Sequence, residues 1–217
     1  MRVVLTGFEP FGGDGTNPSW DAVRLVAEQY AAAGSPGGYE LVVAELPCEF
    51  GRSLDVLREL VGTHAPDVVV CVGQAGGRTG VTPERVAVNL DDARIPDNAG
   101  DQPIDVPVVE GGPTAYFGTL PVKACVEALH EADIPASVSH TAGTFVCNHV
   151  FYGLMHLAAT EFPQLRGGFV HVPYAPGQGH EDAPSLPVET TARALSLIIH
   201  TTVTRTTDLH TTAGALH

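Results

Sequence analysis

Residues 67–73, DVVVCVG, decide the fold. The run from Val68 to Val72 is continuously apolar, without the alternation of a strand that has one wet face. Such a run is expected of a central strand in a parallel sheet, covered on both faces. Working outward, residues 2–6 (RVVLT), 40–46, a stretch near 136–140 and 168–172 (GFVHV) also read as strands. Helical patterns lie between them. Asn17 as N-cap and Pro18 at the first helical position open one whose apolar stripe is Trp20, Val23, Val26, Ala27 and Tyr30. The glycine-rich stretch 34–38 ends it. Leu54, Leu57, Leu60 and Val61 mark a second helix, expected to close near Gly62. Val122, Cys125, Val126 and Leu129 mark a third, and Val150, Phe151, Leu154 and Leu157 a fourth. Residues 186–203 form the last.

This alternation predicts a single α/β domain over residues 1–203, with a twisted, mostly parallel sheet and helices on both faces. Residues 78–118 fit it poorly. They are rich in Gly, Pro and Asp, and read as an irregular insertion in which VAVN (86–89) and VPVV (106–109) could form a hairpin. Its expected place is the carboxyl edge of the sheet, where open α/β sheets put their sites. Residues 204–217 read as a frayed tail.

Composition narrows the function. The 217 residues carry 25 acidic against 11 basic side chains, a net charge of −14. A nucleic-acid binder needs a basic footprint, and an anionic membrane surface also attracts bases, so both partners are disfavoured. No apolar run approaches the roughly 20 residues that span a bilayer. The N-terminal MRVVLTGFEPFGG is broken by Gly and Pro and lacks the apolar core of a signal peptide. A cytoplasmic protein is therefore expected, with Cys48, Cys71, Cys125 and Cys147 as free thiols, since no pair has CxxC spacing.

The strongest chemical feature is SHTAGTFVCNHVFYGLMH, residues 139–156. A strand, a small-residue turn, a cysteine and an amphipathic helix come in that order. Cys147 is thereby placed in a first helical turn, where unpaired N–H groups and the helix dipole favour a thiolate. His171 ends the strand GFVHV and is the expected base; His149 and His156 are its rivals on the helix. A carboxylate should orient the imidazole. Glu84, Asp91 and Asp92 are candidates that the residues alone do not separate. The glycine-rich GFEPFGGDG and GQAGGRTG match no nucleotide motif, and no HExxH or CxxC suggests a metal, so no cofactor is expected.

Five segments in order, LTGFEPFGG with NPSW, VGQAGGR with ERVAVN, ARIPDNAGDQP, SHTAGTFVCNHVFYGLMH and GFVHVPYAPGQ, cover most of residues 3–180. Together they resemble the pyroglutamyl peptidase I family of cysteine peptidases. The resemblance implies hydrolysis of the amide bond after an N-terminal pyroglutamate through a thioester, with peptides as substrates and a homotetramer as assembly. It places the nucleophile on Cys147, the histidine on His171 and the acid on Glu84. It places the pyroglutamate pocket on Phe8, Phe11, Gln74, Ile95, Phe145 and Val146, with Arg94 near the oxyanion site. Two positions depart from the family pattern: His140 stands before TAG, where Asn is usual, and Cys48 stands where Thr or Val is common. A non-catalytic binding protein on the same fold is the competing reading; contact between Cys147 and His171 separates the two.

Overall fold

In the computed structural model, which describes residues 1–214, the DVVVCVG run forms a strand with all seven of its residues buried, β3 (Val68–Gln74). The other elements are β1 (Arg2–Phe8), α1 (Pro18–Ala32), β2 (Glu40–Leu46), α2 (Arg52–His64), β4 (Thr82–Pro83), β5 (Val86–Val88), β6 (Ala115–Phe117), α3 (Val122–Glu131), α4 (Val146–Thr160), β7 (Arg166–Val172) and α5 (Val188–Thr204). The main sheet runs β2-β1-β3-β7-β4, and all its pairings are parallel except the short edge β4 on β7. The predicted α/β architecture is the observed one.

Alternation along the strands assigns each side chain to a face. Val3, Leu5, Val68, Val70, Val72, Val170 and Val172 pack on one face with α1, α3 and α5. Val4, Phe8, Val69, Cys71 and Phe169 pack on the other with α2 and α4. α4 is buried along most of its length because it has three neighbours. The sheet lies beneath it, α2 beside it and the β5–β6 hairpin over it. Asn148 pins that hairpin: its Oδ1 accepts from Val88 N–H at 3.0 Å, and its Nδ2 donates to the Val88 and Leu90 carbonyls at 2.9 and 3.0 Å.

Four local expectations need correction. Gly62 does not close α2; the helix runs to His64 and ends where Ala65 turns left-handed (φ 43°) before Pro66, which disfavours helical backbone in its predecessor. The stretch 136–140 is no strand. It meets its neighbour only at the bridges Val81–Ala136 and Glu84–Ser139, because β4 is two residues long and its Pro83 has no N–H to extend a ladder. The hairpin partner of VAV is AYF (115–117), not VPVV, where Pro107 interrupts pairing and Val106 bridges only Asp91. Residues beyond 204 are not simply frayed: Asp208 accepts from the N–H groups of Lys123 and Ala124 at the start of α3, at 3.1 and 3.0 Å. The last part of the expected tail, 215–217, lies outside the described residues.

The start of α1 is locked to the end of β1. Asn17 Oδ1 caps the helix by accepting from Ser19 N–H at 3.0 Å, and Ser19 Oγ accepts from Phe8 N–H at 3.0 Å. This draws the helix so near that a Cβ on Gly7 would stand 2.6 Å from Trp20 Cα. Backbone cannot swing aside as a side-chain tip can. Gly7→Ala should therefore cost about 3 kcal/mol, at the upper end for overpacking. That corresponds to a fall in Tm of roughly 6–12 °C for a domain of this size, readable by calorimetry; an unchanged Tm would show that the strand–helix junction has slack.

Candidate active site

Cys147 stands in the first turn of α4. The N-cap residue Phe145 offers no side-chain cap, so the first N–H groups of the helix are left for another acceptor. The sulfur rests on the sheet at Gly73, where a Cβ would lie 2.7 Å from Sγ and 2.8 Å from Phe169 Cζ. In the β3–β7 ladder Gly73 is paired with His171. Paired residues project to the same face, and adjacent strands lie about 4.8 Å apart. His171 and the Cys147 sulfur therefore share one face of the sheet, one strand apart.

His171 is almost fully buried, and its Nδ1 lies 2.7 Å from Glu84 Oε1. A carboxylate only accepts, so Nδ1 donates in this bond and Nε2 is left facing away from the acid. Glu84 is placed by its backbone: its N–H donates to the Phe169 carbonyl at 2.9 Å, just past β4. A second donor reaches the same oxygen. Arg78 Nη2 donates to Glu84 Oε1 at 3.0 Å and to the Thr141 carbonyl at 3.0 Å, while Nη1 donates to Thr82 Oγ1 at 3.1 Å. The sequence reading did not single out Arg78. Its signal was a cation in the loop GQAGGR, six residues ahead of the candidate acid.

The structure separates the rival groups. Asp91 Oδ2 lies 2.7 Å from Nδ1 of buried His149, whose Nε2 accepts from Gly51 N–H at 3.0 Å. That pair ties α4 to the loop before α2. Asp92 is exposed. His156 meets Tyr116 OH at 3.0 Å, under the hairpin. His140, one of the two unusual positions, is exposed.

The expected low thiol pKa is overturned. Burial pushes the Cys147 thiol up to about 12; Glu84 and Cys71 add to the rise, and Arg78 opposes it. Burial also raises Cys71 and Cys125 to about 12 and pushes Cys48 up. All four are free, and Cys147 is the one that is not fully buried.

Of the pocket candidates, Arg94, Ile95 and Phe145 line a cavity of about 280 Å³ together with Asp92 and Thr144. Phe11 packs on Phe145 with ring centroids 6.0 Å apart. Phe50, a residue the sequence reading passed over, meets Phe145 edge-on at 5.4 Å. Phe8 and Val146 are buried in the core beneath and do not line this cavity. Gln74 is engaged elsewhere. Its Nε2 donates to Asp14 at 3.2 Å and its Oε1 accepts from Gln178 at 2.9 Å, and strand alternation turns it to the face opposite Cys147. Its carboxamide braces two loops at the rim. A cavity of about 620 Å³ lies beneath the C-terminal segment, lined by Lys123, Glu127, His130 and Leu209 among others, and it contains no cysteine.

Comparison with known proteins shows the family. The family described as pyroglutamyl peptidase matches residues 1–205. A pyrrolidone-carboxylate peptidase of Streptomyces coelicolor is 60% identical, with 100% of this chain and 99% of that protein covered. One from Escherichia fergusonii is 52% identical over 99% of each. The crystal structure of pyroglutamyl peptidase I from Bacillus amyloliquefaciens superposes with a TM-score of 0.90 at 49% identity, over 96% of this chain and 99% of that one.

The thiol environments give a direct test. Only Cys147 should take up iodoacetamide in the native protein, and all four cysteines should react after unfolding. Because its pKa is raised, its thiolate fraction should keep growing with pH, so its labelling rate should still climb between roughly pH 8 and 10. Mass mapping of the alkylated peptides reads both points. A rate that levels off below neutral pH would show a preformed thiolate instead.

Proposed function

This chain belongs to the pyroglutamyl peptidase family, and we propose that it hydrolyses the amide bond following an N-terminal pyroglutamate of peptides, with Cys147, His171 and Glu84 as its catalytic triad. One observation carries the assignment of residues: the buried Glu84–His171 pair, at 2.7 Å, lies on the sheet face where the Cys147 sulfur rests.

The raised thiol pKa favours proton transfer during attack over a standing thiolate. Sγ bonds to the carbonyl carbon as its proton passes to His171 Nε2. The carbonyl π pair moves to oxygen, where the uncapped N–H groups at the start of α4 receive it. Arg94, on the cavity wall, supplies a further cation nearby. The carbonyl then re-forms, the C–N bond breaks, and His171 gives its proton to the leaving amine. Water, losing a proton to the same nitrogen, attacks the thioester. Collapse releases pyroglutamate and returns the proton to sulfur. Glu84 fixes the imidazole tautomer throughout and supports its charged form.

The ring site is built from Phe11, Phe145 and Ile95, with Phe8 and Val146 behind them and Gln74 bracing the rim. Apolar walls suit a flat, neutral lactam. They reject an N-terminal proline, whose charged amine would lose its water. A cytoplasmic setting is supported by the four unpaired thiols, and among the described residues no helix is long and apolar enough to cross a membrane. Assembly as a homotetramer is supported by the exposure of Phe117 and Ile104, apolar side chains suited to a contact between copies.

With matched amide substrates, kcat/KM for the pyroglutamyl compound should exceed that for the prolyl one on the order of 10⁴-fold. Cys147→Ser should lose at least roughly 10³-fold in kcat with its fold intact by circular dichroism. Glu84→Gln should lose less, on the order of 10²-fold, since an amide retains part of the orienting role. A folded, active Cys147→Ser would overturn the assignment. Comparable rates on prolyl and pyroglutamyl amides would overturn the substrate. Light scattering should give four chain masses; a monomer would overturn the assembly.

A further inference from the structure

We propose that Arg78 is a positioning residue of this site, holding the Glu84 carboxylate against His171 and, through the Thr141 carbonyl, the turn that delivers Cys147. The proposal rests on the triad reading above and adds a residue to it. Three acceptors converge on one guanidinium: Thr82 Oγ1 at 3.1 Å, Glu84 Oε1 at 3.0 Å and the Thr141 carbonyl at 3.0 Å. They come from the sheet edge, the acid and the turn before α4. A planar fork of fixed N–H directions can satisfy all three, and the single point charge of an ammonium cannot.

The charge balance gives the arrangement its purpose. Glu84 has no exposed side-chain surface, whereas Arg78 keeps about a quarter of its own. A carboxylate buried this deeply has lost its hydration, and a cation beside it offsets that loss while it supports an imidazolium forming on His171. Arg78 brings a permanent positive charge from the solvent edge to the same oxygen that holds His171. The titratable and charged groups around Glu84 are Arg78, His171 on β7 and Cys147 on α4, with Cys71 and Cys48 beyond the sulfur. Removing the guanidinium takes a positive charge from beside the pair, so the acid limb of the kcat/KM profile should move to higher pH.

The second role is geometric. Thr141 opens the TAG turn that leads into Phe145 and α4. Ser139 also contacts this turn, with its Oγ donating to the Thr141 carbonyl at 3.2 Å. Arg78 is the side-chain link from that turn to the carboxylate, beside the backbone bridge of Glu84 with Ser139. Loss of the link should lower kcat more than it raises KM, because the ring site on Phe145 and Ile95 is untouched.

The test uses the full chain with Arg78→Met and Arg78→Lys, a pyroglutamyl amide substrate and a full pH profile. Arg78→Met should lose roughly 10-fold or more in kcat and shift the acid limb upward by about one pH unit, with KM little changed. Arg78→Lys should bring the limb back toward its original position, because charge is restored, without restoring kcat. A purely structural role would lower stability and leave the limb where it was. Wild-type kcat and an unmoved limb in a folded Arg78→Met would overturn the proposal, as would a loss confined to KM. Should Arg78→Met fail to fold, Arg78→Lys decides alone: reduced kcat with unchanged KM and unchanged Tm supports the proposal, and full kcat, or a loss of kcat that comes with a lowered Tm, overturns it. An active Cys147→Ser would sink the triad reading itself, whereas a wild-type-like Arg78→Met beside an inactive Cys147→Ser sinks only the role of Arg78.

Discussion

The sulfur of Cys147 occupies the space that a side chain on residue 73 would fill. That exclusion orders the rest of the site. It lets the first turn of α4 rest directly on β3, and the parallel register of β3 with β7 then sets His171 beside the same point. Phe169 fills the remaining volume under the sulfur, and its ring lies 4.9 Å from that of His171. The proposed nucleophile and base are thus fixed by two neighbouring strands and one helix. Such elements hold geometry more firmly than loops do.

The acid and the ring site depend on irregular backbone, which needs its own fastenings. The long segment after β3 is held at several points by polar groups, among them the buried Asn148 and Asp97. Asn148 bonds to it three times from inside α4. Asp97 accepts from Phe50 N–H at 2.7 Å and closes its own turn through Ala99 and Asp101. Asn98 reaches the Glu9 carboxylate at 2.7 Å, and the same oxygen accepts from Cys48 N–H at 3.0 Å. Each buried backbone group left without its partner would cost about 1–3 kcal/mol. The loop is therefore irregular in shape yet fully committed to one position, as a rigid pocket wall requires.

Legibility in the sequence follows from how local each signal is. The run Val68–Val72 and the Asn17–Pro18 cap sit in consecutive residues, so the sheet core and α1 were readable. Cys147 and His171 were readable because each follows a local strand or helix signal. Glu84 was not separable from Asp91 and Asp92 without the family resemblance, since pairing across 87 residues leaves no local mark. The VPVV strand failed on tertiary grounds: its valines are apolar because Val108 and Val109 pack on the core, not because they pair. Gln74 illustrates another limit. A motif locates a residue, while strand alternation decides which face its side chain reaches.

The electrostatics of the site bear on how the substrate is chosen. The chain carries a net charge of −14, so its long-range field draws cations. A peptide that begins with pyroglutamate lacks the ammonium group that an ordinary N-terminus presents. The field therefore favours the wrong peptides on approach, and discrimination has to occur at short range. The proposed ring site is suited to that task, with Phe145 and Ile95 on its wall and Asp92 its one lining acid. The buried carboxylates nearby are turned to other partners: Glu84 to Arg78 and His171, Asp91 to His149, and Asp97 to backbone N–H groups. A neutral lactam loses little on entering such a cavity, and a charged N-terminus loses its hydration without gaining a partner.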